Sequence, residues 1–309
     1  MKKKTIKMLL QKKFDDFCSS IEDESVKKLV EKNSIITGGS IASMLLGEKV
    51  NDYDLYFTDK RTTLAVAQYY AEKFNLNPPV KFKNSDKFCA VYAVDDNDRI
   101  KIIVKSAGIA GEENPDNYQY FETIQNPESV DAINYVEEVA KALTDTDSQK
   151  PRYRPVFLST NAITLSNDIQ IVVRFYGNPE QIHENYDFLH CKNYWLSSTG
   201  ELNLNPLALE SLLAKELVYN GSKYPLCSII RTRKFINRGW TCNAGQYLKM
   251  CYQLAKLNLD NVDVLEDQLI GVDSAYFQNL IEALKKQKEN DPSFSYGFEY
   301  IATIVDKLF

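Results

Sequence analysis

The sequence predicts an α+β protein in which a mixed sheet with flanking helices is followed by an all-helical lobe, and three observations carry that expectation. Up to about residue 200 the apolar residues alternate between helical spacing and short strand-like runs, whereas from Asn205 onward the spacing is helical throughout. The 309 residues, 44% hydrophobic and 12% aromatic, suffice for buried cores without staples. The expected division is a first lobe over 1–200, with an insertion or lid at about 112–155, and a helical lobe over 201–309, with a groove between them.

Ile6, Leu9, Leu10, Phe14, Phe17, Ile21, Val26, Leu29 and Val30 predict two amphipathic helices broken near Glu22 to Ser25. A strand at Ser34 to Thr37 ends at Gly38-Gly39, and a helix starts there and runs to Leu46. Asp52 to Thr58 alternates, with Tyr53, Leu55 and Phe57 on one face and Asp52, Asp54 and Tyr56 on a wet, acidic one. A helix at 61–74 is stopped by Asn77-Pro78-Pro79, and a hairpin is expected at 88–94 and 99–105 across the Asp95-Asp96-Asn97-Asp98 turn. One helical stretch at 130–143 lies in the polar insertion. Strands follow at 161–165 and 169–175, then a helix at 179–184 and a strand at 186–191. The helical lobe reads as 207–219, 227–238, 244–257, 262–270, 274–288 and 298–308.

Composition excludes several classes. With 37 Lys plus Arg against 42 Asp plus Glu, the net charge of −5 argues against a chain coated all over for nucleic acid. No run approaches the roughly 18 apolar residues of a membrane span, and the start MKKKTIKMLLQKK is not a secretory signal. The six cysteines are scattered without C-x-x-C or zinc spacing, which fits free thiols in a reducing cytoplasm.

The informative segment is Thr37-Gly38-Gly39-Ser40, then eleven residues, then Asp52-Tyr53-Asp54-Leu55. Two glycines at a strand-to-helix turn let backbone amides approach an anion such as phosphate, and Ser40 adds a hydroxyl. Aspartates at i and i+2 share one strand face, with Cα atoms about 6.5 to 7 Å apart, near enough to converge on divalent metals. A phosphate cradle facing a carboxylate pair fits nucleotidyl transfer. G-[GS]-S followed by D-h-D-h at this spacing resembles the signature of the DNA polymerase beta-like nucleotidyltransferase superfamily, and the chain looks like nucleotidyltransferase-like proteins of bacteriophages through RFYGNPEQIHENYDFLHC (174–191) and AKELVYNGSKYPLCSIIRTRKFINRGW (214–240).

That resemblance implies a nucleotidyltransferase-type sheet, two Mg²⁺ or Mn²⁺ ions, an NTP substrate and a third carboxylate from a later strand. Asp98 and Asp168 sit in apparent turns, whereas Asp187 opens the strand at 186–191 and takes the third-acid position, with capping or an ion pair as its other reading. His183 and His190 read as structural, and Arg174 as an ion-pairing residue. From Lys215 to Lys256 eight Lys and Arg face Glu216 alone, a local +7 that favours an anionic partner. By resemblance Lys215, Ser222, Lys223 and Tyr224 bind the NTP, Tyr224 being equally readable as core, and Arg231, Arg233 and Lys234 bind acceptor or phosphate.

The expected function is transfer of a nucleoside monophosphate from an NTP to an acceptor hydroxyl with release of pyrophosphate, with an RNA 3′ end such as that of tRNA favoured over a protein or small molecule. The alternative is a catalytically inactive nucleotide- or host-protein-binding phage factor on the same fold, and a third is a toxin- or antitoxin-type modifier of host tRNA or protein. A phage-encoded chain of this kind would act in the host cytoplasm, with no membrane partner.

Overall fold

Helix α1 (Lys3–Ser19) turns Ile6, Leu10, Phe14 and Phe17 inward, the spacing that puts one stripe of a helix against a core. The computed structural model describes residues 1–76, 89–96, 99–106, 152–158, 161–269 and 302. Helix α2 (Glu24–Asn33) starts where the Asp23 carboxylate accepts the Ser25 and Val26 amides, which accounts for the break between the two helices. Strand β1 (Ser34–Thr37) is buried along its whole length. Helix α3 (Gly39–Leu46) stops at Gly47, whose φ of 75° is the left-handed cap that glycine adopts without strain. Strand β2 (Tyr53–Phe57) follows. Helix α4 (Lys60–Leu76) begins with Asp59 accepting from the amide and hydroxyl of Thr62.

Strands β3 (Cys89–Asp96) and β4 (Arg99–Ser106) form the expected hairpin as a separate two-stranded sheet. The main sheet adds β5 (Pro155–Leu158), β6 (Ala162–Leu165), β7 (Ile169–Tyr176), β8 (Tyr194–Leu196) and β9 (Glu201–Asn203), in the order β5-β6-β7-β2-β1-β8-β9. Every neighbouring pair is antiparallel except β2 with β7. One face of this sheet carries Ile36, Leu55, Ile163, Leu165, Ile169, Ile171, Trp195 and Leu202, which pack with α1 and α4 in the main core. Phe14 lies against Trp195 with ring centroids 5.1 Å apart, and a fully buried side chain of this size stabilises the fold by about 3 kcal/mol.

Helix α5 (Pro179–His183) agrees with the sequence, but the strand expected at 186–191 does not form. Asp187 lies in a bend and Leu189–Cys191 is a 3-10 turn. The reason is competition for backbone partners: the Asn220 amide donates to the Asp187 carbonyl, the Leu189 amide to the Val218 carbonyl, and Phe188 bridges Tyr219, so the segment pairs with 218–220 instead of the sheet. Helix α6 (Pro206–Ala214) ends before residue 219, because Lys215 takes a left-handed φ of 48° and its carbonyl then accepts the Thr241 amide. Helices α7 (Pro225–Ile236), α8 (Ala244–Leu254) and α9 (Val262–Leu269) match three expected helices within a few residues. The expected helices at 130–143, 274–288 and, apart from Ala302, 298–308, the Asn77-Pro78-Pro79 stop and the 112–151 part of the insertion lie outside the described residues.

The chain forms two compact units. The first comprises the described residues up to His183 together with Cys191–Ala208; the second comprises Glu184–His190 and the described residues from Leu209 onward. Among the described residues no helix is long and apolar enough to cross a membrane.

Candidate active site

The corner where β1 meets α3 is shaped by backbone. Gly38 sits at φ 83°, ψ −150°, a region that side chains other than hydrogen disfavour, and its amide donates to the Cys191 carbonyl at 3.2 Å. Helix α3 opens at Gly39 with no side chain capping it, so its first-turn amides lack intrahelical partners. A Cβ placed on Gly39 would meet nothing within 4 Å, so the space beside that residue is open. That is the geometry of an anion-binding turn. The Ser40 contribution differs from expectation: its side chain is buried and its hydroxyl points back to the Thr37 carbonyl at 3.5 Å, leaving the amide as the group Ser40 can offer.

The carboxylate pair adjoins this turn through strand register. Thr37, the residue before Gly38, pairs with Asp54 across β1 and β2. Because Ile36, Leu55 and Ile171 point into the core, Thr37, Asp54 and their partners lie on the opposite face. Reading across the sheet at that level gives Thr164, Gln170, Asp54, Thr37, Tyr194 and Asn203, one polar residue from each of β6, β7, β2, β1, β8 and β9. One level further along, Ala162, Val172, Ile35 and Leu196 are apolar. Asp54 therefore belongs to a polar band beside the glycine turn, and Tyr56, expected on the wet face with it, is buried.

Asp52 precedes β2 and is exposed, Asp54 is half-buried, and the start of the strand is braced. The Tyr53 amide donates to the Asp168 carbonyl at 2.8 Å, and the Lys13 ammonium donates to the Asn167 carbonyl and lies 4.0 Å from the Asp168 carboxylate. Asn167 and Asp168 both take positive φ, the turn role that the sequence assigns to Asp168. Burial lowers the Lys13 pKa below its usual value, partly offset by Asp168.

His183 and Asn193 hold Thr37, and sequence reasoning singled out neither for this role. The Thr37 hydroxyl donates to the Asn193 carbonyl at 2.8 Å, and with its one proton used it accepts from His183 Nε2, also at 2.8 Å. Burial lowers the His183 pKa to about 4, so the ring is neutral at physiological pH and can be both oriented and uncharged beside an acidic site. Gln170 and Tyr194 are found through strand register, and this histidine through its hydrogen bond to Thr37.

The remaining candidates belong to the second unit. Asp187 is not on a strand; its carboxylate accepts from Arg231 at 2.8 Å and from the Phe188 amide at 3.1 Å, so the ion-pair reading describes it. Arg231 is accordingly paired with Asp187. The Ser222 hydroxyl accepts the Tyr224 amide at 2.9 Å, which starts α7. Lys223, Arg233 and Lys234 are exposed, and Lys215 is half-buried in its left-handed backbone. His190 is enclosed by Phe188, Phe235 and Trp240, with its pKa lowered to about 4 by burial.

Among the described residues no group of three or more His, Cys, Asp or Glu is placed to hold a metal ion. Asp52 and Asp54, two residues apart at the start of β2, are the residues here that could hold a divalent ion.

Comparison with known proteins gives three findings. A Thermotoga maritima CCA-adding enzyme complexed with tRNA aligns with a TM-score of 0.38 at 12% identity, covering 92% of this chain and 57% of that one. "Gabija anti-defense 2" of Bacillus phage SPbetaL7 is 21% identical over 133 residues, which is 43% of this chain and 32% of that protein's length. Residues 8–215, more than half of the sequence and including the glycine turn, the acidic pair and all seven strands of the main sheet, match the Gabija anti-defense 2 family, and the chain belongs to that family.

Proposed function

We propose that this chain acts against the Gabija defense of a phage host by nucleotidyl transfer: an NTP binds at the Gly38–Ser40 turn, and its nucleoside monophosphate passes to an acceptor hydroxyl while pyrophosphate leaves. The observation that carries this reading is the Thr37–Asp54 register, which sets Asp54 beside the turn where α3 starts without a side-chain cap and where a Cβ on Gly39 would meet nothing within 4 Å. The α3 amides would hold phosphate oxygens, and the missing Cβ of Gly39 lets them approach. Asp52 and Asp54 would hold a divalent ion, Mg²⁺ or Mn²⁺, which neutralises triphosphate charge when bound. The acceptor is an RNA 3′ end or a protein side chain of the host cytoplasm.

A second reading, nucleotide or partner binding without turnover, is favoured by one observation: among the described residues no group of three or more His, Cys, Asp or Glu is placed to hold a metal ion. Incubation with each α-labelled NTP, Mn²⁺ and either host RNA or host protein separates the two. Transfer predicts label on a macromolecule, reduced at least about 10²-fold by Asp52→Asn or Asp54→Asn, the scale of losing a preorganised electrostatic contact. NTP binding without label in any fraction supports the second reading, and no NTP binding rejects both.

A further inference from the structure

We infer that Lys13 of α1 is a positioning residue for the Asp52/Asp54 pair, setting the start of β2 through the Asn167-Asp168 turn. This rests on the nucleotide-binding reading above. From Lys2 to Lys13 the chain carries six lysines, and Lys13 differs from the other five: they are exposed, whereas its side chain is only 18% exposed. Its ammonium lies 5.0 Å from the centre of the Tyr53 ring and 5.6 Å from that of Tyr153. It donates to the Asn167 carbonyl and stands 4.0 Å from the Asp168 carboxylate. An ammonium withdrawn from water needs such partners, here two rings, a carbonyl and a carboxylate.

These contacts hold a turn of two consecutive left-handed residues, Asn167 at φ 63° and Asp168 at φ 58°. Few side chains tolerate that backbone, and two such residues in succession persist where their surroundings fix them. The Asp168 carbonyl then accepts the Tyr53 amide at 2.8 Å, and Tyr53 pairs with Ile169 in the first step of the β2–β7 ladder. Tyr53 is therefore held twice, by its amide through Asp168 and by its ring through Lys13 itself. Asp52 and Asp54 flank it in sequence, so the peptide groups that orient both carboxylates are tied to the point Lys13 holds.

Position and charge make opposite demands on Lys13, and this separates the two roles. A cation across Tyr53 from two carboxylates reduces their attraction for a divalent ion. By charge alone, removing the ammonium should tighten metal binding. Removing its hold on the turn should loosen it, because a group that orients metal ligands sets the geometry they offer.

The test is binding of each of the four ribonucleoside triphosphates by the full chain with and without Mn²⁺, beside metal-free binding of inorganic tripolyphosphate. The proteins are wild type, Lys13→Met, Lys13→Gln, Lys13→Arg and Asp54→Asn, with melting curves to confirm folding. Lys13→Met keeps a stem between the rings and removes the donor. It is expected to cut the gain in NTP affinity given by Mn²⁺ at least about tenfold while leaving tripolyphosphate binding unchanged. Lys13→Arg should restore most of that gain. Lys13→Gln, whose amide can still donate to a carbonyl, should fall between them, and is read in place of Lys13→Met if that variant does not fold. An unchanged or larger Mn²⁺ gain, or an equal loss of tripolyphosphate binding, makes Lys13 a structural contact only and leaves the nucleotide reading standing. If wild type shows no Mn²⁺ gain, or Asp54→Asn keeps it, the nucleotide reading fails and the inference with it.

Discussion

The glycine corner of the first unit and the basic stretch of the second offer chemistry in different currencies. At the corner the functional groups are backbone amides and a strand register, and neighbouring elements converge on them: Cys191 takes the Gly38 amide, Asn193 and His183 take the Thr37 hydroxyl, and β1 and β7 flank Asp54. In the basic stretch the groups are long side chains, and two of these residues serve the unit's own architecture: Arg231 binds Asp187, and Lys215 ends α6 in a left-handed turn. A motif made of backbone geometry keeps its meaning when the chain folds, because one arrangement satisfies it. A charge count does not, because it is silent on which cations already have partners.

The largest expected effect compares one buried histidine from each region. His183 and His190 both have pKa values lowered by burial from 6.5 to about 4, so the unfolded chain takes up protons between those limits that the folded chain refuses. Stability is then fully present above pH 6.5 and is lost as pH falls towards 4, by up to about 3 kcal/mol for each ring. Urea midpoints at pH 7 and pH 4.5 should converge partway in His190→Phe, whose ring the aromatic enclosure accepts. Nucleotide binding should fall in His183→Ala and remain in His190→Phe; an equal fall in both would mean that the two regions are not functionally distinct.

Within the corner, Gly38 and Gly39 should part company. Gly38→Ala forces a side chain into φ 83°, ψ −150° and should cost about 1–3 kcal/mol in denaturant melts. Gly39→Ala meets open space at the first turn of a helix and should leave the melt unchanged while weakening NTP binding. Loss of stability without loss of binding in Gly39→Ala would reverse the roles given to them.

The smallest effects lie in the basic stretch. Arg231→Ala leaves the largely buried Asp187 carboxylate without its cation and should cost about 1–2 kcal/mol, discounted from a fully buried pair because Arg231 is 39% exposed. Arg233→Ala with Lys234→Ala should shift stability by only a few tenths of a kcal/mol. If that pair contacts the acceptor, its loss flattens the salt dependence of RNA binding; an unchanged slope would confine the exposed cations to solvation.

The elements with long periodic patterns were legible in the sequence: α1, α2, α4, and the β3–β4 hairpin appear where the spacing puts them. So was the turn-and-aspartate motif, because its meaning lies within about 20 residues. Strands β5, β8 and β9 were not, since three or four residues cannot display a period and are stabilised by partners distant in sequence. Tyr186 to Cys191 alternates like a strand, but its alternation buries Phe188 among Tyr219 and Phe235 instead of in the sheet. Nothing local distinguishes those outcomes. Gln170 was illegible for a related reason: its position opposite Asp54 is a property of pairing between strands 116 residues apart.

The sheet order also bears on the timing of assembly. Thr37 and Asp54 leave the ribosome before β7 and β8, and β7 must arrive before one side of β2 is closed, and β8 before one side of β1 is. Contacts of such long sequence separation form slowly, after the helices that local spacing nucleates. During synthesis β1 and β2 would pass through an interval as a two-stranded pair with both outer edges unmatched, the condition that invites strand addition from other chains. A nascent chain stopped before Tyr194 would keep Thr37 on an open edge, so the anion-binding turn should be among the last parts of the first unit to acquire its final shape.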